Sequence, residues 1–175
     1  MDFDTLINTR QSSRKYDLAK EVAHEDIAAC LEAARLAPSA NNAQPWHFTV
    51  CGKDLAKEVA VCLQVLGLNK FAVDAPCFIV VSEKRGGLIT ALGSKLTQQD
   101  YRSVDIGIAV SYLTLSATEL GLATCIIGGF KEKKLQKLLG IRERVRLVIV
   151  LGYAIEGYPQ RPKRRKNMDE IADFR

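Results

Sequence analysis

The stretch that decides the fold is "VDIGIAVSYLTLSATELGLATCIIGGF", residues 104–130. Its first part carries apolar residues on nearly every face of a helix running from about 100 to 120. Gly121 is placed to end that helix. A helix that is apolar nearly all round belongs in an interior. A strand at 122–127 follows at once and runs into "GGF" at 128–130. A long central helix feeding directly into an apolar strand predicts helices packed on a sheet.

Working outward, a charged helix at 131–139 ends at Gly140, and Val145 to Leu151 is a continuous apolar strand. Upstream, Cys77 to Val81 has the same buried character. Residues 46–51 alternate, with Trp46, Phe48 and Val50 on one side. Further helices are predicted at 3–9, at 25–36 where Pro38 stops the pattern, and at 54–66. "EKRGG" at 83–87 reads as a surface break, and 85–98 takes no clear assignment. Near the end, Asn167 and Glu170 form a capping-box pattern before a short helix. About four strands among five or six helices make an α+β mixture. At 175 residues, with neither internal repeat nor low-complexity segment, one domain spanning 1–175 is expected.

Composition removes several function classes. The chain is 47% hydrophobic, which argues against wholesale disorder. No apolar run approaches the roughly 20 residues of a membrane span. The opening "MDFDTLINTR" is acidic and lacks an apolar segment, so a cytoplasmic protein is expected. The net charge of +5 invites a nucleic-acid reading. However, the densest basic block, "RPKRRK" at 161–166, has no interleaved aromatics, and no zinc-finger or RNA-binding signature is present. The five cysteines, at 30, 51, 62, 77 and 125, stand singly in apolar contexts and read as small buried hydrophobes. Only His24 and His47 could partner a nucleophilic cysteine, and His47 reads as structural.

Three stretches carry candidate chemistry. In "TRQSSRKY", residues 9–16, Arg10, Ser12 and Arg14 alternate, which puts two guanidinium groups and a hydroxyl on one face of an extended chain. Lys163 and Arg165 alternate in the same way after Pro162. A phosphate dianion wants such donors converging from several directions, although each triplet alone also fits a solvated edge. No Walker loop or Gly-x-Gly-x-x-Gly turn is present. Gly128 and Gly129 fit either the approach of a flat ligand to backbone or a tight turn. "PSANNAQPW", 38–46, fits either amide recognition of a heterocycle's imide edge or a helix stop and turn.

Taken in register, "TRQSSRKYD", "APSANNAQPWHFTV", the 104–130 stretch and "PKRRKNMDEIADF" resemble the nitroreductase family of FMN-dependent oxidoreductases, over essentially the whole chain. The resemblance implies a three-layer α-β-α sandwich around a mostly antiparallel sheet of four to five strands. It also implies an interlocked homodimer with two FMN sites at its interface. Arg10, Gln11, Ser12 and Arg14 would then line the flavin, with Arg10 at the phosphate and Arg14 at the pyrimidine end. Lys163 and Arg165 would complete the phosphate cradle. Pro38, Ser39, Ala40 and Asn42 would come from the partner subunit, and backbone at Gly128 and Gly129 would reach the flavin's N5 or O4. Two departures are tolerable: Gln11 stands where many members carry a second basic residue, and Tyr16 where many carry phenylalanine. The chain is also short, with little between 82 and 100 to cover an active site.

The implied activity is hydride transfer from NADH or NADPH to FMN, then reduction of a flat nitroaromatic or quinone by a ping-pong mechanism. Two alternatives stay open: a specialised flavoenzyme of the same family (oxidase, dehalogenase or flavin-degrading), and a basic nucleic-acid-binding module. The physiological acceptor and the nicotinamide preference are not legible.

Overall fold

Strand β2, Cys77–Glu83, is buried at all seven positions and forms the middle of the fold. The computed structural model describes residues 1–52, 54–84 and 98–175; most of the stretch without a sequence assignment, and the question of what it covers, lie outside the described residues. Beside β2 run β1 (Trp46–Gly52) and β4 (Val145–Gly152), and β3 (Ala123–Ile127) lies beyond β4. The order is β1-β2-β4-β3 and every neighbouring pair is antiparallel.

The period of two along each strand sorts side chains onto two faces. Phe78, Val80, Cys125, Ile127, Val148 and Val150 face a core shared with Val59, Ala60 and Leu63 of α3 (Asp54–Leu63) and Leu135 of α5 (Glu132–Leu139). Among the described residues α5 is the fifth α-helix, α1 being Phe3–Thr9, α2 His24–Arg35 and α4 Tyr101–Glu119. Cys77, Ile79, Val81, Ile149 and Leu151 face a second core with Cys30 and Ala34 of α2 and with Ile106, Ala109, Val110, Leu113 and Ala117 of α4. Helices on both faces make the expected three-layer α-β-α sandwich.

Helix α4 begins at Asp100, whose side chain accepts from the Ser103 N–H at 3.2 Å, and it stops before Gly121 at φ 75°. One face lies in the core. The opposite face, with Val104 and Tyr112, is exposed in the single chain beside Phe3 of α1. Its start is tied to the sheet by Glu83, which pairs with Arg102 at 2.5 Å and with Arg146, while Arg146 reaches Asp100 at 3.1 Å. Helix α3 ends three residues before the sequence expectation, because Leu66 and Gly67 take left-handed backbone at φ 51° and 78°. The capping box at Asn167 and Glu170 opens one 3-10 turn, Met168–Glu170. All five cysteines are free and buried, as expected. Among the described residues no helix is long and apolar enough to cross a membrane.

After α1 the chain runs past the end of the sheet. Ser12 bridges Thr124 in parallel, Ser13 N–H donates to the Thr124 carbonyl at 2.8 Å, and Asp17 N–H to that of Tyr153 at 2.9 Å. Tyr16, buried, donates its hydroxyl to the Ser13 carbonyl at 2.8 Å. This crossing requires Gly152, where a Cβ would stand 2.8 Å from Pro76 Cδ and 3.0 Å from Tyr16 Cδ1.

Candidate functional site

The two alternating basic segments, 150 residues apart in sequence, lie side by side. Arg10, Gln11, Ser12 and Arg14 from one, and Arg161, Pro162, Lys163, Arg164 and Arg165 from the other, line a cleft of about 490 Å³. Six of these nine residues are cationic and none is acidic.

Side chains knit the two segments together. Gln11 Nε2 donates to the Pro159 carbonyl at 3.1 Å, and Gln11 Oε1 accepts from Arg161 N–H and Nε, each at 3.2 Å. Arg161 Nη2 donates to the Ser12 carbonyl and Lys163 Nζ to that of Arg10. Gln160 Nε2 donates to Asn8 O at 2.9 Å, and the Tyr158 hydroxyl accepts from Arg14 N–H at 3.0 Å. These contacts fix backbone and leave the guanidinium of Arg10 unanswered: its Nε and Nη2 are buried without a hydrogen-bond partner. Burial lowers its pKa. Lys163 is lowered too, first by burial and then by Arg165, Arg10 and Arg161. Arg14 is exposed, with its guanidinium carbon 5.9 Å from the centre of the Phe71 ring. Such a cleft is short of negative charge, which a phosphate group is suited to supply.

The remaining candidates lie elsewhere. Gly128 and Gly129 follow β3, towards which the parallel bridge at Ser12 directs the chain through Arg14. The Gly129 carbonyl accepts from Asn69 Nδ2 at 3.1 Å, and the same nitrogen donates to Leu63 O. Neither glycine has a positive φ. A Cβ at Gly129 would meet nothing within 4 Å, and one at Gly128 only Leu147 Cδ2 at 4.0 Å. A strained turn is therefore not what these glycines serve, and open space lies in front of them.

Pro38, Ser39, Ala40 and Asn42 sit on a loop that does not line the cleft within one chain. This loop is tightly built. Asn41, Asn42 and Gln44 adopt left-handed backbone at φ 52°, 53° and 44°. Ser39 Oγ accepts from Gln44 N–H at 3.0 Å, and Gln44 Nε2 donates to Asn42 Oδ1 at 3.0 Å. The Pro45 carbonyl accepts from Lys84 N–H at 2.8 Å, and Asp105 Oδ1 from Ala40 N–H at 3.2 Å. His47 is exposed on β1 and does not line the cleft.

Six of the twelve predicted residues thus converge: Arg10, Gln11, Ser12, Arg14, Lys163 and Arg165. Sequence reading missed Arg161, although it continues the alternation of 163 and 165 across Pro162. It also missed Arg164, the clasp residues Tyr158 and Gln160, and Asp105, for which a lone carboxyl inside an apolar helix was the available signal.

Comparison with known proteins agrees with this architecture. The nitroreductase family profile matches residues 7–65 and 57–153. An oxygen-insensitive NADPH nitroreductase of Helicobacter acinonychis (strain Sheeba) is 28% identical over 196 aligned residues, covering 93% of this chain and 92% of that protein. The crystal structure of a nitroreductase family protein from Streptococcus pneumoniae TIGR4 superposes with a TM-score of 0.83 at 26% identity, covering 99% of this chain and all of the other. An FMN-dependent nitroreductase from Clostridium difficile R20291 superposes at 0.69 with 28% identity, over 95% and 92% of the two chains. With the profile covering residues 7–153, which hold the four described strands, this protein belongs to the nitroreductase family.

Proposed function

We propose that this protein is an FMN-dependent NAD(P)H oxidoreductase that works as a homodimer. The observation that carries the reading is the buried, unpartnered Nε and Nη2 of Arg10 in a six-cation cleft that no carboxylate lines among the described residues. A phosphate monoester fits that donor set. It answers both orphaned donors at once and relieves the repulsion from Arg165, Arg10 and Arg161 that adds to burial in depressing Lys163.

In this reading Arg10, Lys163 and Arg165 hold the phosphate, and Gln11 and Ser12 keep the two segments in register around it. Arg14 brings positive charge to the pyrimidine end of the ring, where preorganised charge favours electron uptake. Gly128 and Gly129 leave room for the ring to approach backbone. Pro38, Ser39, Ala40 and Asn42 come from the second copy, since within one chain they stand away from the cleft. Bound FMN would supply the hydride chemistry that links NADH or NADPH to a flat acceptor such as a nitroaromatic or quinone, in ping-pong fashion. No side chain is asked to act as a general acid or base. Two features support the homodimer: the exposed apolar face of α4 with Val104 and Tyr112, and Phe3 and Ile7 beside it on α1. The free thiols support a reducing, cytoplasmic setting.

The test is to purify the protein, add FMN, remove the excess and record the visible spectrum, then follow NADH and NADPH oxidation with a quinone acceptor. Retained flavin with turnover is the expected result. A protein that holds no FMN ends the proposal, and one that holds FMN but oxidises neither donor belongs with specialised flavoenzymes.

A further inference from the structure

Asp105 has no place in the reading so far, yet its situation is unusual. It lies on α4 with 3% of its surface exposed, next in sequence to Ile106 of the core. Its Oδ1 accepts one hydrogen bond, from Ala40 N–H at 3.2 Å, while Oδ2 is buried without a partner. A carboxyl so poorly satisfied weakens a fold, and an apolar side chain of similar size would pack there without that penalty. The group it does engage is the first residue of the 3-10 turn Ala40–Asn42, in a loop whose Asn41, Asn42 and Gln44 all hold left-handed backbone. Asn enters that region more readily than most L-residues and Gln does not, so a loop with all three there is held by its surroundings. The loop's own contacts, Ser39 to Gln44 and Gln44 to Asn42, brace its far half. On the near half, Asp105 is the side chain that reaches in from outside.

We infer that Asp105 is a positioning residue for flavin binding. Its Oδ1 fixes the Ala40 N–H, and so the direction in which Ser39, Ala40 and Asn42 present their polar groups to the FMN held by the other copy. The inference rests on the dimeric FMN reading above. The fold tolerates a half-paired buried carboxyl because the loop's orientation is needed at the cofactor, not because the core needs it.

The test uses the full-length protein with FMN and two substitutions. Asp105→Leu removes the acceptor and fills the space. The apoprotein is expected to melt no lower than wild type, while the FMN dissociation constant rises about tenfold, the loss of one net hydrogen bond. The absorption bands of the bound flavin should shift, and the KM for the nicotinamide donor should change more than kcat. Asp105→Asn keeps an oxygen for Ala40 N–H and should stay within about threefold of wild type. Ala40→Pro deletes the same bond from the loop side, at a first-turn position that accepts proline, and should reproduce the tenfold loss even if the leucine variant fails to fold. Wild-type FMN affinity in Asp105→Leu or Ala40→Pro overturns the inference. So does an Asn variant as weak as the Leu one, which would make charge and not the hydrogen bond the cause. Wild-type protein that binds no flavin overturns the reading beneath and this inference with it; wild type that binds while all three variants match it sinks this inference alone.

Discussion

Arg10 shows how one residue can be costly to a fold and necessary to a site. Its buried Nε and Nη2 have no partner, and burial opposes its charge. Arg10→Met keeps the aliphatic stem and drops the orphaned donors. The apoprotein should therefore melt at or above the wild-type temperature by calorimetry. FMN affinity, titrated by fluorescence quenching, should fall by about 3 kcal/mol, roughly a hundredfold, for two charge-assisted hydrogen bonds lost. A matching loss of stability with flavin retained would remove Arg10 from the site. The alternation of Arg10, Ser12 and Arg14 was readable because an extended chain puts every second residue on one side. Arg161 escaped notice because a proline separates it from Lys163 and Arg165. Asp105 escaped for another reason: a sequence gives no account of which loop will fold over a helix.

At the scale of elements, apolar periodicity located the four described strands, β2 most plainly, since a strand covered on both faces needs an unbroken apolar run. It failed at the end of α3, where a local backbone preference at Leu66 and Gly67 overrode a helical pattern. It also left unseen how elements are fastened, because ion pairs far apart in sequence carry no periodic signal. The fastening around Arg146 is measurable. Arg146→Met leaves the 8%-exposed Glu83 carboxylate with Arg102 alone, so thermal unfolding should show a loss of about 2–3 kcal/mol, or roughly 4–12 °C. Little change in melting would mean that the pair contributes no net stability. A second fastening joins the end of β2 to the turn before β4, where Lys84 Nζ meets Glu143 Oε1 at 2.7 Å. That hydrogen bond holds the Glu143 carboxyl down at about 2. A carboxylate depressed in the folded state adds stability above its ordinary range near pH 4.5, and this is lost as pH falls towards 2. Glu143→Gln should therefore flatten the decline in melting temperature across that window and leave its shape above pH 5 unaltered. An unchanged acid limb would show that the exposed pair is screened.

For the whole molecule, the near-complete apolarity of 100–120 predicts a central helix, and in the single chain one face of α4 lies in the core while the opposite one is exposed. The exposed Tyr112 and Val104 mark where the proposed second copy would complete that burial. Tyr112→Glu sets a carboxylate on this face without touching either core. Sedimentation equilibrium should then find a monomer, and FMN should be lost with the dimer because the Ser39–Asn42 loop no longer reaches it. A dimer that persists with flavin bound would move the interface elsewhere. One consequence follows from the clasp between the segments at 10–14 and 161–165. The first of these precedes the four described strands and the second follows them, so the cradle has only one wall until the sheet between them has been made. In the proposed reading FMN is held only once the segment at 161–165 is in place, and a cut between Gly152 and Arg161 should disarm the protein while leaving its sheet intact.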